Sequence, residues 1–183
     1  MPLADRIPLA RLLGKARLDG RRNLLCDVWN LLSGMPGGRL VFSRLVGRFA
    51  PYAGNLHATV LVLRPGHAEV QMQDRRAVRN HIDCVHEGAL ASLADLAGTL
   101  ALACSLPDDA RAFPSGMQID YMKLARGPII AVAECEVPRT AARARHDITV
   151  QLRDASLDEV ARVVLHRVVG PSPGVPGDRS DVN

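Results

Sequence analysis

The 183-residue sequence predicts an α+β domain in which a curved antiparallel β-sheet wraps one long central helix, preceded by short N-terminal helices. Three observations carry that prediction. Residues 89–104 form a nearly apolar run whose one charged residue is Asp95. Two segments with strand-like alternation precede this run and four follow it. Aromatic residues make up only 3% of the chain, so a core has to be built from Leu, Val, Ile and Ala.

In chain order, residues 1–52 read as an N-terminal helical extension. NLLCDVWNLL (23–32) has helical spacing, and RLVFSRLVGRF (39–49) repeats it after the GMPGG breaker. A different regime begins at residue 53. In LHATVLVL (56–63), Leu56, Ala58, Val60 and Val62 alternate with the other face. Arg64-Pro65-Gly66-His67 places Pro and Gly at the centre of a type II turn, and AEVQMQ (68–73) alternates again, which makes a hairpin. The long helix follows, from about Glu87 to Cys104. After a loop over 106–112, Met117, Ile119 and Tyr121 alternate, and PIIAVAECEV (128–137) follows a turn at Arg126-Gly127. DITVQLR (147–153) puts Ile148, Val150 and Leu152 on one face, and VARVVLHRVV (160–169) completes the set. A helix apolar all round must be enclosed, and the only available enclosure is the sheet. That is the hotdog arrangement, spanning residues 53–169. The tail 170–183 has the Pro, Gly and Ser content of a disordered end.

Composition excludes several functions. Scarce aromatics argue against a base-stacking nucleic-acid platform. Residues 1–50 hold nine Arg or Lys against three Asp, a net +6 within a chain of formal charge +4. Such a segment could touch nucleic acid or an anionic membrane, but the interleaved apolar residues favour small solvated helices. Ser92, Asp95 and Thr99 interrupt the apolar run, so no stable membrane insertion is expected. No signal peptide is expected, since Arg6 and Arg11 stand where a compact apolar segment would lie. The four cysteines, at 26, 84, 104 and 135, are far apart in sequence. Cys104 and Cys135 read as small core hydrophobes, which fits a reducing, cytoplasmic setting.

Polar atoms on the helix carry the candidate chemistry. Ser92, Asp95 and Thr99 fall at i, i+3 and i+7 and form one stripe. A buried carboxylate is costly unless paired or protonated, so a cleft-facing Asp95 would have its pKa raised toward the range of a general base. The same position also suits a carboxylate that caps backbone donors of a neighbouring loop. Gly88 leaves the first-turn amides unobstructed, and these donors with the helix dipole could form an oxyanion site for a thioester or ester carbonyl. Asn80 and His86 flank that site, although His86 equally suits a helix cap. Asp95 lies nine residues beyond His86, roughly 13 Å along a helix, so one helix cannot bring both to one carbonyl. Cooperation requires two subunits across a two-fold axis, and the chemistry predicts a dimer. His81, Cys84 and His86 have tight spacing and no second ligand cluster, so no metal is expected. Ser92 lacks the glycines of a nucleophile elbow.

The segment Asn80-x5-His86-Glu87-Gly88-x3-Ser92-Leu93-Ala94-Asp95 resembles the signature of phenylacetate-degradation-type (PaaI-like) hotdog thioesterases. Tyr121-Met122-Lys123-Leu124-Ala125-Arg126-Gly127 resembles a second stretch common in that family. The residues before the domain resemble the N-terminal extension of an uncharacterised hotdog subgroup. The resemblance implies an acyl-CoA thioesterase with no cofactor beyond its coenzyme A thioester substrate, assembled as a homodimer or dimer of dimers. It makes Asp95 the general base or nucleophile and Asn80 of the other subunit the group that orients water or the thioester. The amides near Glu87 and Gly88 become the oxyanion hole, supported by His86. Ser92, Thr99 and Ser115 would line the substrate site, and Lys123 and Arg126 would contact coenzyme A phosphates. Glu87 replaces the first glycine of the family's pair, adding negative charge beside that hole. A catalytically silent module that binds acyl-CoA or hydrophobic ligands is the alternative.

Overall fold

The computed structural model describes residues 23–107 and 109–171; the expectations for residues 1–22 and 172–183 lie outside the described residues. Helices α1 (Leu24–Ser33), α2 (Gly38–Phe49) and the short α3 (Pro51–Gly54) lead into the hairpin β1 (Thr59–Arg64) and β2 (His67–Met72). The central helix α4 (Glu87–Ala103) follows, and then β3 (Ala110–Tyr121), β4 (Ile129–Cys135), β5 (Ala144–Arg153) and β6 (Glu159–Pro171). The strands form one antiparallel sheet in the order β1-β2-β4-β5-β6-β3, with β1 and β3 at opposite edges. The α+β class and the hotdog architecture expected from the sequence are the ones observed.

Alternation sets the wrap. Ile129, Ala131 and Ala133 of β4, Ile148, Val150 and Leu152 of β5, and Val163 and Leu165 of β6 are all buried toward the helix. Leu90, Leu93, Ala94, Ala97 and Ala101 of α4 meet them. Each fully buried aliphatic side chain such as Leu93 contributes about 1.5–3 kcal/mol by leaving water. Gly98 permits the close approach, because a methyl group there would collide with Leu165 Cδ1 and press on Ile148.

Three expectations are corrected. The β1 alternation fails at a bulge between Val60 and Val62, so Val60 and Leu63 are the buried residues and Val62 is only partly buried. A bulge opposes two residues to one and shifts the facing of everything beyond it. The central helix is also not enclosed all round. It packs mainly on β2, β4 and β5, leaving Gly88 and Thr99 exposed and Ser92 and Asp95 half-buried along one open stripe. Finally, Cys104 is no isolated core thiol. It caps the C-terminal end of α4 and is disulfide-bonded to Cys26 of α1, with Cα atoms 5.3 Å apart across 78 residues. Sequence distance had hidden a pairing that only the docking of α1 creates.

That docking is built from polar anchors. Asn23 caps α1 by accepting from the N–H groups of Leu25 and Cys26, while its amide donates to the carbonyls of Ala103 and Leu106 at the end of α4. Trp29 of α1 meets Phe42 of α2 edge to face, with ring centroids 5.0 Å apart. Ser43 of α2 donates to Arg39 O at 2.7 Å and accepts from Val60 N at 2.9 Å, tying α2 to the edge strand β1.

Candidate active site

Two clusters emerge, one at each end of the open stripe on α4. At the N-terminal end, an Asp74-centred loop sets the geometry. Asp74 accepts from Arg79 Nε at 2.6 Å and from Gly127 N at 2.9 Å, and the Arg79 hydrogen bond holds its carboxyl below the usual range against partial burial. Asn80 closes the next turn, its Oδ1 accepting from Ile82 N and Cys84 N, both at 3.2 Å. His86 is the helix cap, with Nδ1 accepting from Gly88 N at 2.9 Å. The amide of Glu87 lies beside its own carboxylate, which is the first cause holding that carboxyl below its ordinary value; His86 and Asn80 add to it. The Gly88 N–H expected to help form an oxyanion hole is therefore already taken by His86 Nδ1. Tyr121 of β3 donates to Glu87 O at 3.3 Å.

The second cluster centres on Asp95, two turns along. Its side chain is 48% exposed, so the burial from which its general-base role is argued is incomplete in the protomer. Its Oδ1 is paired with Nη2 of Arg167, whose side chain is only 8% exposed and which also reaches Thr99 Oγ1 at 3.4 Å. Arg167 projects from the inward face of β6, in the series Val163, Leu165, Arg167 and Val169. Asp95, Thr99 and Arg167 border a cavity of about 400 Å³ with apolar walls from Leu102, Ala112 and Pro114. Arg111 stands on the same rim.

The structure thus gathers Asn80, His86, Glu87 and Gly88 at one end of α4 and holds Asp95 and Thr99 apart from them at the other. Ser92 lies between, its hydroxyl donating to Gly88 O at 2.7 Å. Ser115 is the extra residue of a bulge between Pro114 and Gly116 on the exposed edge strand β3. Lys123 sits between two carboxylates, with Nζ 2.7 Å from both Asp154 and Asp158, so its charge is committed away from any phosphate. Arg126 is exposed. Among the described residues no group of three or more His, Cys, Asp or Glu could hold a metal.

Arg167 is the site residue that sequence reasoning missed. The signal was present: alternation in 160–169 puts one charged residue on the inward face of an otherwise apolar strand. A helix carrying a lone acid and a strand carrying a lone inward base are natural partners.

Comparison with known proteins bears on the fold. The family model described as a domain of unknown function (DUF4442) matches residues 38–169. No curated protein matches the chain. A structural-genomics protein is similar with a TM-score of 0.70 and 29% identity, covering 81% of this chain and 99% of that one. A Pseudomonas aeruginosa protein described as a probable thioesterase has a TM-score of 0.66 and 20% identity, over 75% of this chain and 97% of that one. Zebra fish thioesterase superfamily member 2 has a TM-score of 0.61 and 23% identity, over 70% and 93%.

Proposed function

The chain belongs to the DUF4442 family, and from its fold and site geometry we propose that it is an acyl-CoA thioesterase working across a two-fold dimer interface. The observation that carries the proposal is Asp95, held by buried Arg167 at the mouth of a cavity with apolar walls. Arg167 grips Oδ1, which leaves Oδ2 to take a proton from water. The water oxygen adds to the thioester carbonyl carbon, the tetrahedral intermediate collapses, and the carbon–sulfur bond breaks as the proton on Asp95 passes to the leaving sulfur, releasing coenzyme A and the free acid and restoring the carboxylate. In the nucleophilic variant, Asp95 itself attacks and water then cleaves the mixed anhydride. The cavity walls suit the acyl chain, and Arg126 suits a coenzyme A phosphate.

The protomer's own helix start lies about 12 Å from Asp95, eight residues back. Asn80 and the first-turn amides therefore have to come from the partner subunit. The open edge of β3 and the exposed Met117 and Tyr121 beside it support such pairing. Structurally similar proteins described as thioesterases lend the fold-level support. A cytoplasmic location remains part of the proposal, with the Cys26–Cys104 disulfide standing against it.

The second reading, a silent acyl-CoA-binding module, is favoured by one observation: the Gly88 amide is already taken by His86 Nδ1. Release of free thiol from acyl-CoAs of graded chain length decides between them. Turnover that falls at least about 100-fold in Asp95→Asn is expected from loss of a general base. No turnover on any chain length, or full activity in Asp95→Asn, refutes the mechanism, and saturable acyl-CoA binding without turnover selects the silent module.

A further inference from the structure

The arginine-rich helix α2 and the turn after it present an unusual outer face. Among the apolar residues of this helix, Phe42 points inward. Leu40, Val41, Phe49 and Tyr52 do not: Phe49 is 76% exposed and Tyr52 is 77% exposed. Val41, Arg44 and Arg48 of α2 recur at helical spacing and are exposed, with the exposed Phe49 and Tyr52 at the break between α2 and α3, so the solvent side of this segment combines bulky apolar groups with arginines. An ordinary solvated face would carry mixed charges. Here Val28 to Ala68 contains four arginines and no acidic residue.

A cavity of about 570 Å³ opens on the same face. Arg44, Arg48 and His57 stand on its lining, no acid does, and its apolar lining includes Val60 and Leu96 of the hotdog domain. Its position is independent of the proposed dimer contact, because α2 packs on β1, at the sheet edge opposite β3.

We propose that this face docks on an anionic lipid bilayer. Phe49 and Tyr52 enter the headgroup boundary, where bulky and amphipathic rings are favoured, and Arg44 and Arg48 pair with lipid phosphates while their stems lie along apolar surface. The association is peripheral, since among the described residues no helix is long and apolar enough to cross a membrane. The arginines favour a bilayer over a second protein copy: two copies of this face would bring like charges together with no acid to offset them.

The test is co-sedimentation of the full chain with vesicles of phosphatidylcholine alone or mixed with phosphatidylglycerol, at low and high salt. The wild type is expected to bind only the anionic vesicles, and less at high salt. Each surface arginine is worth roughly fivefold in partition, so Arg44→Gln with Arg48→Gln is expected to weaken binding by about 30-fold. Phe49→Ser with Tyr52→Ser is expected to weaken it at any salt concentration. All four positions are exposed, so the variants should fold, and an unchanged circular dichroism melt checks this. Equal binding to neutral vesicles, no binding to anionic ones, or binding unaltered in both double variants would overturn the proposal. So would variants whose sole effect is a change of oligomeric state by light scattering.

Discussion

Replacing Asp95 by Ala strips the carboxylate from an arginine whose side chain is 8% exposed, leaving Thr99 Oγ1, at 3.4 Å, beside the guanidinium. Breaking a fully buried pair in this way costs about 3–5 kcal/mol, and breaking an exposed one costs about 0–1 kcal/mol. Water at the cavity mouth can reach the vacated position, so the expected cost of Asp95→Ala lies between, near about 2 kcal/mol. The reverse change is not equivalent. Arg167→Met keeps an unbranched apolar stem in the same slot and leaves behind a carboxylate that is 48% exposed and can hydrate. Its expected cost is about 1 kcal/mol or less. The double variant should then match Arg167→Met more closely than the sum of the two singles, because the uncompensated guanidinium is gone. Urea unfolding followed by circular dichroism and by fluorescence of Trp29, the one tryptophan, measures all three at one fixed protein concentration. An Arg167→Met cost equal to or above that of Asp95→Ala, or strictly additive costs in the double variant, would refute the reasoning.

The Cys26–Cys104 bond closes 78 residues, for which chain entropy gives about 4–5 kcal/mol as an upper figure. A reductant should therefore lower the urea midpoint of the wild type and leave Cys26→Ser unaffected; a reductant-insensitive wild type would exclude the bond. In the native protein Cys135 should resist thiol reagents at pH 8, since burial pushes its thiol up to about 11. A second expectation concerns acid. The Arg79 hydrogen bond holds Asp74 below the usual carboxylate range in the folded chain, so it adds stability above about pH 4 that disappears as pH falls through its folded value. Asp74→Asn should be less stable than wild type near neutrality and should lose that part of the acid limb in pH-dependent melts. An acid limb identical to wild type would show that Asp74 contributes nothing to it.

Much of the fold was legible because its signals are local. Residues 147–153 alternate without a fault and become β5; the apolar run ending at Ala103 becomes α4; Pro65-Gly66 becomes the turn joining β1 and β2, with Gly66 at φ 76°. Reading failed where an effect was not local. The β1 bulge depends on pairing with β2, and the Cys26–Cys104 proximity depends on how α1 docks. The site divides in the same way. The stripe of Ser92, Asp95 and Thr99 follows from helical spacing, and His86 at the helix start follows from capping chemistry. That Lys123 would be held by Asp154 and Asp158, and Asp95 by Arg167, required the positions of other elements.

The sequence by itself determined the order of elements, the packing of an apolar helix on a sheet and the placing of one acid on that helix, since each rests on periodicity within a few turns or one strand. Only the tertiary structure decided that Asp95 meets Arg167 rather than an apolar interior, and that the arginine-rich helix turns Phe49 and Tyr52 outward. Both outcomes depend on which faces the docked elements leave uncovered, and that is fixed by packing between segments far apart in the chain.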